Sequence, residues 1–348
     1  MDLSESTEGL YTVLRERCLR CAACSTVAPE TFLMDGAARV IERQPKGRLE
    51  LARAEAARIN CPGHAIARKG EAAAADEAGL FSSEPLFPRL FAEAERVRWR
   101  MTDIPFDAVE KGWVTPAFLR FVREMALSEL TTFSATKRFL TEMADDPDFS
   151  SWVAIWFYEE TKHPEVLFRW LSEFGVTVDS HALLRGRVTA PFMRSRTGTL
   201  AMNILSELFA SAGYQDLARY TKEPVLAQIF RGLAGDEARH GSSFYAYTER
   251  TIRKAKSPDM ERLAALKVLY YWVGATDHVE HPVNQFHEKV SADPELVAVM
   301  RDVGTDYGPV LARACRLIGN LIDLPLSCPE DVLPALRERS AALEVRGG

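Results

Sequence analysis

Two short pieces of this sequence, WFYEETKH and GDEARH, place Glu160 three residues before His163 and Glu237 three residues before His240. On an α-helix, positions three apart lie about 60° apart around the axis, so each pair offers a carboxylate and an imidazole to one point. Both pairs sit inside apolar stripes. Val153, Trp156, Leu167 and Phe174 share the helical spacing of the first, and Leu226, Phe230, Leu233, Phe244 and Tyr247 that of the second. A buried ionised carboxylate is costly unless it is paired or bound to metal. Four such groups in two core seams therefore call for compensating positive charge, and two iron ions would provide it.

A carboxylate-bridged pair of metals needs one further Glu from each of two more helices. In the helix expected over about 116–143, Phe118, Val122, Met125, Glu129, Phe133, Thr136 and Leu140 form one stripe, whereas Glu124 has less apolar neighbours. In LAMNILSELFASAGY, Leu200, Ile204, Glu207, Ser211 and Tyr214 share a face. Glu129 and Glu207 are thus the remaining candidates. From about residue 113 the long helical stretches are separated by breaks at ADDPD, FGVTVDS, TKEP and KSPD, the punctuation of a helical bundle.

The first 75 residues are different. They lack long helical periodicity and hold four of the six cysteines, Cys18, Cys21, Cys24 and Cys61. Six cysteines in 348 residues are too few for a disulfide scaffold, and their crowding points to metal. Residues 76–112, with EAAAADEAG followed by Pro85, Pro88 and Pro105, suit a connector. The expected organisation is a domain over 1–75, a connector over 76–112 and a helical domain over 113–348. A formal net charge of -6, with no basic block interleaved with aromatics, argues against nucleic acid as a partner. No run of about 18 apolar residues and no basic-then-apolar start is present, so the expectation is a cytoplasmic protein without a membrane span.

Bacterial ferredoxins carry C-x2-C-x2-C-x3-C-P, in which the fourth cysteine ligates a second cluster. In CLRCAACSTVAP the first three cysteines keep that spacing, Ala28 replaces the fourth and Pro29 remains. Cys61 and Pro62 in NCPGHAI then resemble the remote Cys-Pro that completes a single cluster. The whole segment resembles a single-cluster ferredoxin. The presence of Cys21 favours 4Fe-4S, with 3Fe-4S expected after oxidation. A zinc site would pair C-x2-C with another C-x2-C, which is absent. Cys315 and Cys328 read as packing residues.

The order Glu, Glu-x-x-His, Glu, Glu-x-x-His over residues 113–325 resembles the ferritin-like diiron proteins. KEPVLAQIFRGLAGDEARH, the spacing from Glu207 to Arg219, and Trp152 and Trp156 are most similar to the soluble acyl-carrier-protein desaturases. The resemblance implies a mainly α protein, a ferritin-like bundle with a small α+β ferredoxin-like N-terminal domain. It implies that Glu129, Glu160, His163, Glu207, Glu237 and His240 hold two irons, with Asp236 and Arg239 orienting them. It also implies a homodimer. Three positions depart from the pattern: Lys162 replaces an arginine, Ala210 stands where desaturases commonly place a threonine, and Pro164 follows His163 directly. His278, His281 and His287 read as structural, though an additional histidine from a later helix would favour an amine N-oxygenase.

The expected function is an O2-dependent desaturase or hydroxylase acting on an acyl chain, with an acyl carrier protein as a possible substrate carrier. Its fused cluster would relay electrons from an external donor, such as a ferredoxin reductase, one at a time. The alternatives are N-oxygenation of an amine and rubrerythrin-like peroxide reduction.

Overall fold

The computed structural model describes residues 9–35, 39–69, 85–186, 193, 195–274 and 283–347. The fold is mainly helical, with a small α+β region at the N-terminal end. That region comprises β1 (Tyr11–Val13), α1 (Ala23–Val27), β2 (Phe32–Asp35), β3 (Arg39–Glu42), α2 (Arg48–Ile59) and β4 (Ile66–Arg68). β1 pairs antiparallel with β4, Tyr11 opposite Arg68, and β2 pairs antiparallel with β3, Phe32 opposite Glu42. Two two-stranded sheets result. Tyr11, Val27, Phe32, Ala54 and Ile66 form the core of this unit, and Cys18, Cys24 and Cys61 pack against it.

Residues 85–112 of the connector are more structured than their composition suggests. They hold α3 (Phe87–Val97), which packs on α2, followed by short 3-10 turns at Met101–Asp103, Phe106–Ala108 and Lys111–Trp113. The body then runs through α4 (Pro116–Ser128), α5 (Thr132–Glu142), α6 (Pro147–Ser172), α7 (Ser180–Gly186), α8 (Arg196–Tyr220) and α9 (Pro224–Lys254). It continues with α10 (Pro258–Val273), α11 (Val283–Ser291), α12 (Pro294–Val303), α13 (Tyr307–Leu321) and α14 (Val332–Gly347). No helix among the described residues is long and apolar enough to cross a membrane.

The sequence breaks become capped helix starts. Asp146, Ser195 and Glu223 accept hydrogen bonds from the first-turn amides of α6, α8 and α9, and Pro147, Pro224 and Pro258 stand at first helical positions, where a missing N–H costs nothing. FGVTVDS ends α6 with Gly175 at φ 74, a left-handed conformation that glycine adopts without strain.

The single helix expected over 116–143 is two helices, α4 and α5, joined by a 3-10 turn at Glu129–Thr131. Glu129 keeps helical dihedrals (φ -62, ψ -24), so the turn tightens without reversing the chain. The Ser128 hydroxyl donates to the Met125 carbonyl at 2.7 Å, a local bond that competes with the regular ladder at the junction.

Two apolar clusters flank a polar layer. Phe149, Trp152 and Trp156 of α6 join Leu200, Ile204 and Leu205 of α8 and Phe244 and Tyr247 of α9 in one cluster. Val166 and Trp170, Tyr214 and Leu217, and Phe230 and Leu233 of the same three helices form the other. The residues left between the clusters are those of the two Glu-x-x-His motifs and Glu207.

Candidate metal centres

The layer between the clusters brings all six expected ligands together. Ligand atoms of Glu160, Glu207, Glu237 and His240 lie within 4.8 Å of one another, and so do those of Glu129, Glu160 and His163. Glu160 belongs to both groups. Glu237 also spans them: its Oε1 is 3.4 Å from His163 Nδ1 and its Oε2 3.2 Å from His240 Nδ1. The arrangement has approximate two-fold symmetry, with Glu160 and Glu237 in the middle, Glu129 beside His163, and Glu207 beside His240.

The surrounding groups repeat that symmetry. His163 Nε2 is 3.3 Å from Asp236 Oδ2, and His240 Nε2 is 2.9 Å from Glu159 Oε2, which leaves both Nδ1 atoms facing the central carboxylates. Tyr214 donates to Glu129, and Trp156 Nε1 donates to Glu207 at 3.2 Å. Thr132 Oγ1 donates to Glu160 Oε2 at 3.1 Å. Arg239 joins the two outer carboxylates, 2.8 Å from Glu159 and 2.9 Å from Asp236, and lies 3.5 Å from Glu93 on α3. Lys162 fills the place where the resemblance expects arginine: its Nζ is 3.0 Å from Asp236 and 3.9 Å above the Trp99 ring, while Trp99 Nε1 donates to Asp236 at 2.9 Å.

The donor set fits two cations. Seven carboxylates (Glu93, Glu129, Glu159, Glu160, Glu207, Asp236 and Glu237) share this region with two fixed cations, Lys162 and Arg239. His163 Nδ1 and Glu160 Oε1 are buried without a hydrogen-bond partner in the protein. Glu160 Oε1 lies only 2.9 Å from His240 Nδ1, yet the two do not meet in hydrogen-bond geometry, as expected of lone pairs that converge on a third point. The titration pattern has the same origin. Burial pushes Glu160 up to about 7, assisted by the Glu237 charge, and pushes Glu207 well above the carboxylate range. Burial opposes the charged form of His163 and His240, but Glu237 and Asp236 around the first, and Glu159, Glu160 and Glu237 around the second, outweigh it and hold both imidazoles well above their usual value. Protons thus do in part what metal ions would do.

Pro164 lies inside α6, which runs unbroken through it. Because proline has no N–H, the Glu160 carbonyl loses its helical donor one turn earlier. Ala210 packs at the edge of the second apolar cluster. Glu124 pairs with Arg123 at 2.6 Å and Lys289 at 3.2 Å, away from the ligand set. His287 is half-buried against Phe286 and outside both ligand groups, and His278 and His281 fall outside the described residues. Cys315 is a core residue, and Cys328 precedes a short 3-10 turn.

The sequence did not reveal Glu159, Glu93, Trp99, Thr132 or the role of Tyr214. Glu159 and Glu160 point about 100° apart on one helix, so only the placement of α9 shows that both are engaged. Glu93 and Trp99 come from the connector, where no periodic stripe marks them.

The second centre is the cysteine loop. Cys18, Cys21, Cys24 and Cys61 line one small cavity with Pro62 and Gly63. Arg20 (φ 53) and Ala22 (φ 66) adopt left-handed conformations that curl the loop around it. A Cβ on Gly63 would stand 2.2 Å from the Arg17 carbonyl oxygen, so only glycine lets the Cys61 segment close against the loop. The Ala65 amide donates to Cys61 Sγ at 3.3 Å. Burial, with the crowding of the other thiols, pushes Cys61 up to about 12 and Cys24 well above the thiol range.

A family model described as the 4Fe-4S single cluster domain of Ferredoxin I matches residues 13–68. Residues 13–68 form a ferredoxin-type domain. All four cysteines lie within the match, which supports an iron–sulfur cluster there and an electron-transfer role for this part of the chain. No curated protein and no solved structure matches the chain.

The ferredoxin-type domain is seated directly on α9, the helix of Glu237 and His240. Ala238, the residue after Glu237, is part of the small domain's core, and α1 packs along α9. Cys21 and Glu237 line one and the same cavity, whose wall includes Ile204, Leu208, Ala212 and Leu317. Gln215 of α8 donates to Thr26 of α1, and Arg316 donates to the carbonyls of Leu19 and Arg20 at 2.8 and 3.2 Å.

Proposed function

We propose that this protein is an O2-dependent diiron oxidoreductase, a hydroxylase or desaturase, that receives electrons from its own iron–sulfur cluster. The observation that carries the reading is the shared cavity between Cys21 and Glu237, with Ala238 in the small domain's core. A one-electron carrier and a two-metal ligand set in direct contact form a donor and an acceptor without a diffusional step. When bound, the metal pair supplies reductive activation of O2, and the cluster supplies electrons one at a time.

The chain's own residues have distinct tasks in this reading. Glu160 and Glu237, which stand between the two imidazoles, would each contribute to both metals, and Glu129 and Glu207 would complete one side each. Asp236 and Glu159 hold the imidazoles with Nδ1 inward, and Arg239 fixes both of these carboxylates at once. Tyr214 and Trp156 each hold one oxygen of Glu129 and Glu207, and the second oxygen of each faces an imidazole, 3.9 Å from His163 Nδ1 and from His240 Nδ1 respectively. The flanking aromatic clusters exclude water from the layer, which strengthens every charge interaction inside it. In hydroxylation, O2, two electrons, two protons and a C–H group give an alcohol and water; in desaturation the same inputs remove two hydrogens and give two waters.

The cavity between Cys21 and Glu237 has a mixed lining, Thr26, Ser211, Gln215 and Arg313 beside Ile204 and Leu208, and at about 30 Å³ it suits a contact between the two centres rather than a substrate. An acyl chain, free or on its carrier protein, is the first class to try, because the resemblance to desaturases points there. The test is a single turnover: reconstitute with iron, reduce without oxygen, admit O2 with fatty acyl substrates and identify products. The expected result is substrate-dependent O2 consumption with a hydroxylated or unsaturated product. A reduced protein that consumes no O2 overturns the reading, and one that reduces hydrogen peroxide rapidly while leaving every organic substrate unchanged replaces it with peroxide reduction.

A further inference from the structure

Beside the cysteine loop, three arginines stand close together. Arg316 of α13 holds the loop through the Leu19 and Arg20 carbonyls. Arg313, one turn earlier, lines the cavity that also contains Cys21. Arg20 is exposed and lies between Cys18 and Cys21. Among the described residues none of the three has a carboxylate partner at ion-pair distance; the acidic group nearest in effect, Asp216, is bound to Arg219. Burial, and then the charges of Arg20 and Arg313, lower the Arg316 guanidinium, so the group is held together against its own repulsion.

Arg20 adds a second sign. At φ 53 it occupies a left-handed position that glycine takes at lower cost. That conformation belongs to the curl of the cysteine loop, and it leaves the Arg20 side chain exposed at the edge of the electron carrier. The rest of the molecule sharpens the contrast, since the chain as a whole carries a net charge of -6. A negatively charged protein gains by approaching the cysteine loop, where these arginines stand, rather than the more acidic remainder of the chain, which selects orientation as well as partner.

We infer that Arg20, Arg313 and Arg316 form the docking surface for the carboxylate-rich face of a one-electron donor protein, a reduced flavin or iron–sulfur carrier. The inference rests on the reading that electrons enter at the cluster. At the contact the donor loses one electron and the cluster gains one; no bond forms or breaks. Guanidinium groups suit this surface because their N–H groups donate to carboxylate oxygens; the Arg316 Nε and Nη2 are engaged by the loop carbonyls, so Arg20 and Arg313 make the contacts and Arg316 adds its charge.

Stopped-flow reduction of the full-length, cluster-loaded protein tests it. The probes are a strongly acidic flavodoxin in its hydroquinone state and, as a control, the neutral 5-deazaflavin radical. The flavodoxin rate is expected to fall about tenfold or more between low and high salt, while the deazaflavin rate stays flat. Arg313→Glu is expected to lower the low-salt flavodoxin rate several-fold and flatten its salt dependence. A wild-type flavodoxin rate that ignores salt overturns the docking surface without requiring any variant to fold. A salt dependence unchanged in Arg313→Glu, with only the cluster potential shifted, also overturns it and makes the arginines counter-charges for the cluster. The two readings fail separately: deazaflavin-reduced protein that passes no electrons onward contradicts the proposed function, whatever the salt dependence.

Discussion

At the scale of single residues, the account turns on His163 and His240, each held from outside by one carboxylate and facing three or more others. Both imidazoles are raised above their usual pKa, so the metal-free protein gains stability from their protonated forms below about 6.5, the value in an unfolded chain. That contribution is lost as pH rises through the raised folded values. Metal uptake has the opposite sign, because each ligand must release its proton. Raising pH from 6 to 8 is therefore expected to lower the melting temperature of the metal-free protein and to tighten zinc or ferrous binding, by about tenfold per pH unit for each proton displaced. Titration calorimetry in buffers of different ionisation enthalpy measures the released protons; no release contradicts the assignment. Glu237→Ala removes the carboxylate that faces both imidazoles, and is expected to abolish binding of both metals while leaving the visible absorption of the cluster intact. Metal analysis that still finds two ions per chain would contradict this. Arg239→Leu leaves Glu159 and Asp236 buried without their shared cation, and is expected to cost about 3 to 5 kcal/mol in chemical denaturation.

At the scale of elements, the sequence revealed what a helix imposes along its own axis and little of what neighbouring elements impose on one another. Glu129, Glu160, His163, Glu207, Glu237 and His240 were legible because each breaks an apolar stripe at helical spacing, and the Pro-marked breaks were legible because caps and prolines act locally. Glu159 was not, because its partner His240 depends on how α9 is rotated against α6. Glu93 and Trp99 were not, because α3 lies in a segment whose prolines and alanines suggest only a link. The tightened turn at Glu129 escaped for a related reason: Ser128 competes locally with the ladder, and periodicity does not record that competition. The cysteine loop depends on one glycine. Gly63→Ala forces a Cβ against the Arg17 carbonyl, and is expected to yield protein with an intact helical body but less than half the cluster content of wild type, read by iron and sulfide analysis. Full cluster content would show that the loop can yield.

At the scale of the whole molecule, the arrangement is a small ferredoxin-type domain pressed onto helices that carry a buried layer of carboxylates and imidazoles. The ferredoxin-type domain was legible from four cysteines and two prolines, but its seat on Ala238 was not, since nothing in a sequence states which faces of two domains meet. That seat is what makes the fusion functional in this account. Cys18→Ser keeps the helical body and the six carboxylate and imidazole ligands, so iron uptake by the layer should remain. The most direct test of the central claim is freeze-quench spectroscopy of fully loaded protein, diferric at the layer, after reduction of the cluster by deazaflavin. The account predicts that the cluster's electron moves to the metal pair within the same molecule, at a rate independent of protein concentration, and that this step is absent in Cys18→Ser. A reduced cluster that stays reduced beside a diferric pair, or transfer whose rate rises with protein concentration, would contradict it.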